Sequence, residues 1–181
     1  MERVKNIFKN PLIFSAFLAQ IAGAVPSSLV KYGLDQKKSH IKWQGKVMGV
    51  QMTGNLPFKS GQFLVKNSKV ESGTLVADLS ALSTDSGMDA QLKSPLLLDV
   101  EHFPNAELKI KEVTDVYPFA NGGPNAHIKG SITFHGETHQ VESDFVMKRT
   151  PESFHATGKV KTVYAKMVDG ELQYDVWMKR E

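Results

Sequence analysis

The 181-residue sequence contains no cysteine. That absence excludes a disulfide framework, a thiolate metal site, a cysteine nucleophile and a lipid-modified cysteine anchor. A G-x-S-x-G nucleophile elbow, a G-x-G-x-x-G fingerprint and a phosphate loop are also missing. No cofactor is expected. The excess of basic residues is small, 22 Lys+Arg against 19 Asp+Glu. No Lys/Arg cluster reads as a nucleic-acid groove, so no nucleic-acid partner is expected. What remains is ordinary for one folded domain, with 41% hydrophobic and 23% charged residues.

Residues 1–24 differ from the rest. Arg3, Lys5 and Lys9 form a basic start, Leu12 to Ala22 is an apolar run broken only by Ser15 and Gln20, and Ala22-Gly23-Ala24 places small residues at a cleavage site. This is the three-part pattern of a secretory signal peptide, with cleavage expected after Ala24 and a destination outside the cytoplasm, periplasmic or secreted. The apolar run is shorter than the roughly 20 residues that cross a bilayer, so no integral span is expected in 25–181. The segment carries three basic residues and one acidic one, so its removal takes the net charge from +3 to +1.

From residue 40 onward the dominant signal is period-two alternation, the signature of half-buried strands. Ile41 and Trp43 share a parity, as do Phe63 and Val65; Leu75, Ala77 and Leu79; Ala106, Leu108 and Ile110; Ile128, Ile132 and Phe134. The same holds for Val141, Phe145 and Met147, then Phe154, Ala156, Gly158 and Val160, then Leu172, Tyr174, Val176 and Met178. Turn signals are read at Lys59-Ser60-Gly61, Glu71-Ser72-Gly73, Asn121-Gly122-Gly123-Pro124, His135-Gly136 and Val168-Asp169-Gly170. Strands apolar on one side only belong to antiparallel sheets. About eight of them in near-meander order are most simply closed into an all-β, up-and-down antiparallel barrel, with a Greek-key sandwich as the alternative.

Residues 84–104 break the alternation. Asp85 or Ser86 is expected to cap a short helix running to about Lys93, which Pro95 ends. Leu96-Leu97-Leu98, Val100 and Phe103 make the connection too apolar to lie in water, so it is expected to act as a helix-and-loop lid over one mouth of the barrel.

Asp89-Ala90-Gln91-Leu92-Lys93-Ser94, followed by Asp99-Val100-Glu101-His102-Phe103-Pro104, resembles the central motif of the YceI-like family, D-x-H-L-[KR]-S-x-x-F-[FL]-D-V-E-x-[YF]-P. Tyr32-Gly33-Leu34-Asp35 with Ser39 to Trp43, and Gly130 to Val141, are similar to other family segments in the expected order. The resemblance spans roughly residues 30–180. Gln91 stands in place of a frequent histidine, and Leu97-Leu98 in place of an aromatic pair. The resemblance implies a lipocalin-like barrel, exported, that carries a long-chain apolar molecule of isoprenoid (polyprenyl quinone) or fatty-acyl amide type.

A lipid-binding barrel needs an apolar interior larger than its own side chains fill. The candidate lining is Trp43, Phe63, Leu79, Leu108, Ile110, Phe134, Phe145 and Tyr174, with Leu92, Leu97 and Phe103 from the lid. His102 is a candidate for the ligand's head group, against a role in ordering its own loop. His135 and His139 are four apart, but they flank Gly136 in a turn, and no carboxylate or cysteine completes a metal site. A barrel enzyme acting on a lipid-like substrate would need a strongly perturbed titratable group in the pocket. A solid-core module that binds a partner would have too little cavity for a ligand. Trp177 has the parity opposite to Tyr174 and is expected outside, where it could mark a homodimer seam.

Overall fold

The structure, a computed structural model, describes residues 28–67, 69–115, 123–164 and 168–181. The signal-peptide reading of residues 1–24 lies outside the described residues, as does the centre of the Asn121-Gly122 turn. The strands are β1 (Val30–Leu34), β2 (His40–Val47), β3 (Val50–Leu56), β4 (Phe58–Lys66), β5 (Lys69–Asp78), β6 (Ser83–Thr84), β7 (Asn105–Asp115), β8 (Ala126–Phe134), β9 (Glu137–Arg149), β10 (Ser153–Tyr164) and β11 (Val168–Arg180). One short helix, α1 (Asp89–Lys93), lies between β6 and β7.

Eight of these strands close a ring, β1-β4-β5-β7-β8-β9-β10-β11 and back to β1, with every pair antiparallel. This is the expected up-and-down barrel, and closure removes the edges an open sheet would expose. The alternation explains the architecture directly. Along β2 the burial runs exposed–buried through all eight residues, with Ile41, Trp43, Gly45 and Val47 inward. The same parity brings Phe145 and Met147 inward on β9, and Val176 and Met178 inward on β11.

The first strand is broken. Residues Met178–Arg180 of β11 pair with β1, whereas Val168–Asp175 pair with β2. At the break, the Ser39 hydroxyl accepts from the Trp177 N–H at 2.9 Å and donates to the Trp177 carbonyl at 3.3 Å. A side chain thus stands in for the missing ladder rung, which keeps buried backbone groups satisfied. Nearby, Lys179 Nζ lies 2.7 Å from Asp35 and holds that carboxyl below its ordinary pKa, chiefly by a hydrogen bond. The break lets β2 and β3 extend past the ring as a hairpin, whose outer edge pairs with β6 through Gly54↔Thr84 and Asn55↔Ser83.

Three local expectations differ from what is found. Ser60-Gly61 lies inside β4, at a register irregularity between Phe58 and Ser60, and Ser72-Gly73 lies inside β5. Asp169-Gly170 lies inside β11. Glycine also serves in strands where a neighbour needs space, and that is its use at Gly73. By contrast, His135-Gly136 does turn the chain, with φ of 51° and 79°. A turn the alternation did not signal, Met48-Gly49, joins β2 to β3 with φ of 51° and 84°, the positive pair that a tight two-residue hairpin requires.

The helix begins later than expected, at Asp89. Asp85 and Ser86 do not cap it: Asp85 accepts from the Thr53 hydroxyl instead. Asp89 Oδ1 accepts from both the N–H and the hydroxyl of Thr84, at 2.7 and 2.6 Å, which ties the helix to β6. These bonds hold the Asp89 carboxyl below its ordinary pKa. Ser94, before Pro95, is extended and ends the helix.

The interior forms two clusters. One fills the barrel body around Phe63, Ile110, Phe145, Phe154 and Met178. The other joins Ile41, Trp43 and Leu56 to Leu79, Leu82, Leu92, Leu97 and Leu98, so the apolar insertion does cover the barrel as a lid. Phe58 and Tyr174 pack against both clusters and mark the waist between them.

Candidate functional site, a cavity through the barrel

The two clusters do not fill the interior. A cavity of about 430 Å³ runs between them, within the roughly 300–1,000 Å³ range of ligand sites. Its wall is almost wholly apolar and reaches from Leu79, Leu92 and Leu98 under the lid to Phe154 and Met178 in the body.

Cross-strand pairing shows how that space is kept. Three inward aromatic residues sit directly opposite glycines on neighbouring strands: Trp43↔Gly54, Phe63↔Gly73 and Tyr174↔Gly158. Each ring lies against its glycine. A β carbon at Gly73 would stand 2.5 Å from Phe63 Cδ1, one at Gly158 would stand 2.6 Å from Tyr174 Cζ, and one at Gly54 would meet Trp43 and the Ser83 carbonyl. The rings therefore lie along the wall instead of standing into the lumen. Trp43 is further fixed by donating from Nε1 to the Ser83 carbonyl at 3.3 Å.

One part of the cavity wall is a gap in the strand ladder. The ladder between β9 and β10 runs from Arg149↔Phe154 to Phe145↔Gly158, and among the described residues no pairing continues it. Beyond that rung the Ser143 hydroxyl donates to the Lys159 carbonyl at 3.2 Å, a side-chain contact where the ladder has ended. Gln140, Val141, Ser143, Val160 and Lys161 on the two sides of the resulting slot all border the cavity.

Tyr174 is the titratable group that the interior perturbs. Burial raises its phenol pKa; Ser143 opposes the shift and Asp144 adds to it. Its hydroxyl is buried with no hydrogen bond of normal geometry.

Of the twelve residues that the sequence nominates, nine border the cavity: Trp43, Phe63, Leu79, Leu92, Leu108, Ile110, Phe134, Phe145 and Tyr174. Leu97 is buried within the lid cluster, behind the wall. His102 is turned to solvent, where its Nδ1 lies 2.9 Å from Asp99, which raises the imidazole pKa; it orders its own loop. Phe103 packs on the β8–β9 turn, its ring 4.4 Å from that of His135. Sequence reasoning did not nominate Ile41, Leu56, Phe58, Leu98, Leu172 or Met178, which also border the cavity. Ile41, Leu172 and Met178 share the parity of nominated residues, and that signal could have found them. Trp177 does face outward, stacked at 3.7 Å on His155, with Lys38 Nζ 5.2 Å from its ring.

Among the described residues no group of three His, Asp or Glu could hold a metal ion, and no helix is long and apolar enough to cross a membrane. The fold is shared with BcnA of Burkholderia cenocepacia, at 17% identity and a TM-score of 0.61 over 80% of this chain and 98% of that one. It is shared also with a polyisoprenoid binding domain from Saccharophagus degradans implicated in plant cell wall breakdown, at 11% identity and a TM-score of 0.60 over 83% and 98%. No curated protein matches the sequence. The family model for the YceI-like domain matches residues 32–173, from the first barrel strand to the last, and the chain belongs to that family.

Proposed function

We propose that this protein is an exported carrier that sequesters a long apolar ligand, an isoprenoid quinone or a fatty-acyl amide, inside its barrel. The observation that carries this reading is the 430 Å³ apolar cavity, held open where three aromatic rings lie flat on glycines. Export rests on the basic and apolar pattern of residues 1–24. The similar domain described as polyisoprenoid binding supports the ligand class. The slot between β9 and β10 is the ligand's doorway, because the strand ladder stops there and residues on both of its sides line the cavity.

Chemistry favours binding over catalysis. A general acid or base works best with a pKa near the operating pH, and burial drives the Tyr174 phenol the other way. The test is a homologous series of alkyl quinones offered to the purified domain, residues 25–181, with Trp43 fluorescence quenching as the readout. Each methylene taken into the cavity contributes about 0.8 kcal/mol, about a fourfold gain in affinity. Affinity should climb at that rate and level off once the cavity is full. An affinity independent of chain length would overturn the reading.

A further inference from the structure

The interior wall is mostly apolar, and one polar group at its waist lacks a well-formed hydrogen bond. Tyr174 Oη is buried at the barrel's waist beside the Ser143 hydroxyl, with no hydrogen bond of normal geometry, and buried hydroxyls are normally well paired. The ring is pressed against Gly158 on one side, where Phe145 Cβ would also lie 3.0 Å from an added β carbon. The group sits on β11 opposite β10, the strand that forms one side of the slot. Ser143, on the other side, is engaged with the Lys159 carbonyl.

We propose that Tyr174 is the specificity residue of the cavity, and that its hydroxyl donates to a neutral oxygen acceptor, a carbonyl of quinone, ketone, ester or amide type, on an otherwise apolar ligand. This rests on the carrier reading and deepens it by naming the ligand's polar group. A neutral acceptor fits better than an anion for two reasons. No cationic side chain lies near Tyr174 among the groups that perturb it, and the charge that does act on it is the carboxylate of Asp144. That carboxylate already holds His127 at 2.6 Å, and its field would repel a second negative group. The raised pKa keeps the phenol protonated, and so a donor, throughout the neutral range.

The experiment compares two probes of equal length, 8-pentadecanone and pentadecane, which differ by one carbonyl oxygen. Each is titrated against a bound apolar fluorophore on the purified domain and on Tyr174→Phe, which keeps the ring over Gly158. The ketone should bind about three- to tenfold more weakly to the variant, the worth of one neutral hydrogen bond. Pentadecane should bind equally well or better, because no hydroxyl then faces hydrocarbon. If the variant changes both affinities alike, or neither, the assignment of Tyr174 falls and the carrier reading stands. If neither probe displaces the fluorophore from the unmodified protein, the carrier reading falls and takes the assignment with it.

Discussion

Replacing Gly73 by alanine tests the idea that glycines keep the cavity open. The new β carbon would lie 2.5 and 2.8 Å from two ring atoms of Phe63, whereas carbon atoms in contact prefer roughly 3.5–4.0 Å. The ring must retreat by about 1 Å, and the only free direction is into the lumen. Overpacking of this kind costs about 1–3 kcal/mol. Alanine in place of glycine within a strand recovers about 0.5–1 kcal/mol. The net loss is about 0–2.5 kcal/mol, centred on about 1, and for a domain of this size that centre is about 2–4 °C in Tm. The assay is thermal unfolding of Gly73→Ala in two backgrounds, together with the chain-length limit of bound alkyl quinones. With Phe63 intact the protein should lose stability, and its affinity should level off at a shorter chain. In a Phe63→Ala background, where the ring is gone, the same change should be neutral or slightly stabilising. An equal loss in both backgrounds would refute the reasoning, because the cost would then arise from the backbone and not from the ring.

Four further outcomes are expected. Leu79→Ala, at a fully buried position joining lid to barrel, should lower unfolding stability by about 3 kcal/mol; a loss under about 1 kcal/mol, read from the denaturant midpoint at constant slope, would show that the lid is not packed there. The His102 pKa is raised by Asp99 above 6.5, so this pair's share of stability is complete below the unfolded value and fades as pH rises through the folded one; an NMR titration of Asp99→Asn should return the imidazole to its ordinary range. The Asp89 carboxyl is held below 3.8 by Thr84, so its contribution is present above that pH and lost as acid carries it through the lower folded value; Asp89→Asn should speed hydrogen exchange in the lid, and an unchanged rate would contradict its anchoring role. Continuing the β9–β10 ladder by one inward pair sets Ser143 opposite Val160, and in a chain without cysteine the pair Ser143→Cys and Val160→Cys would form the sole disulfide; ligand exchange should slow at least about tenfold when oxidised and recover on reduction, and equal rates would rule out the slot as the doorway.

Much of this was legible in the sequence because a barrel repeats one simple rule. Period two fixes which side chains face inward, and that rule alone brings Trp43, Phe63, Leu108, Ile110, Phe145 and Tyr174 to one cavity. The rule is blind in two places. It does not apply in the lid, where Leu97 and Phe103 are nominated for their apolar character and His102 from a motif, and they pack the lid or face solvent. It also misreads glycine: Gly73 resembles a turn residue in sequence, yet its use is to receive a ring from the next strand. The slot was hidden for a further reason. Alternation records the facing of side chains along one strand and carries no trace of whether that strand's edge finds a neighbour.

The seam described above also governs how the chain can fold. Closure pairs Tyr32 with Arg180 and His40 with Asp175, residues separated by most of the domain. The other joints of the ring link strands that are consecutive in the chain or separated only by the β2–β3 hairpin or by β6 and the lid. The meander can therefore assemble progressively, but its first strand waits for its last partner until the final residues arrive. Joining such distant segments is entropically slow, so formation of a sealed interior is set to be a late, all-or-none event in which the C-terminal strand serves as the keystone.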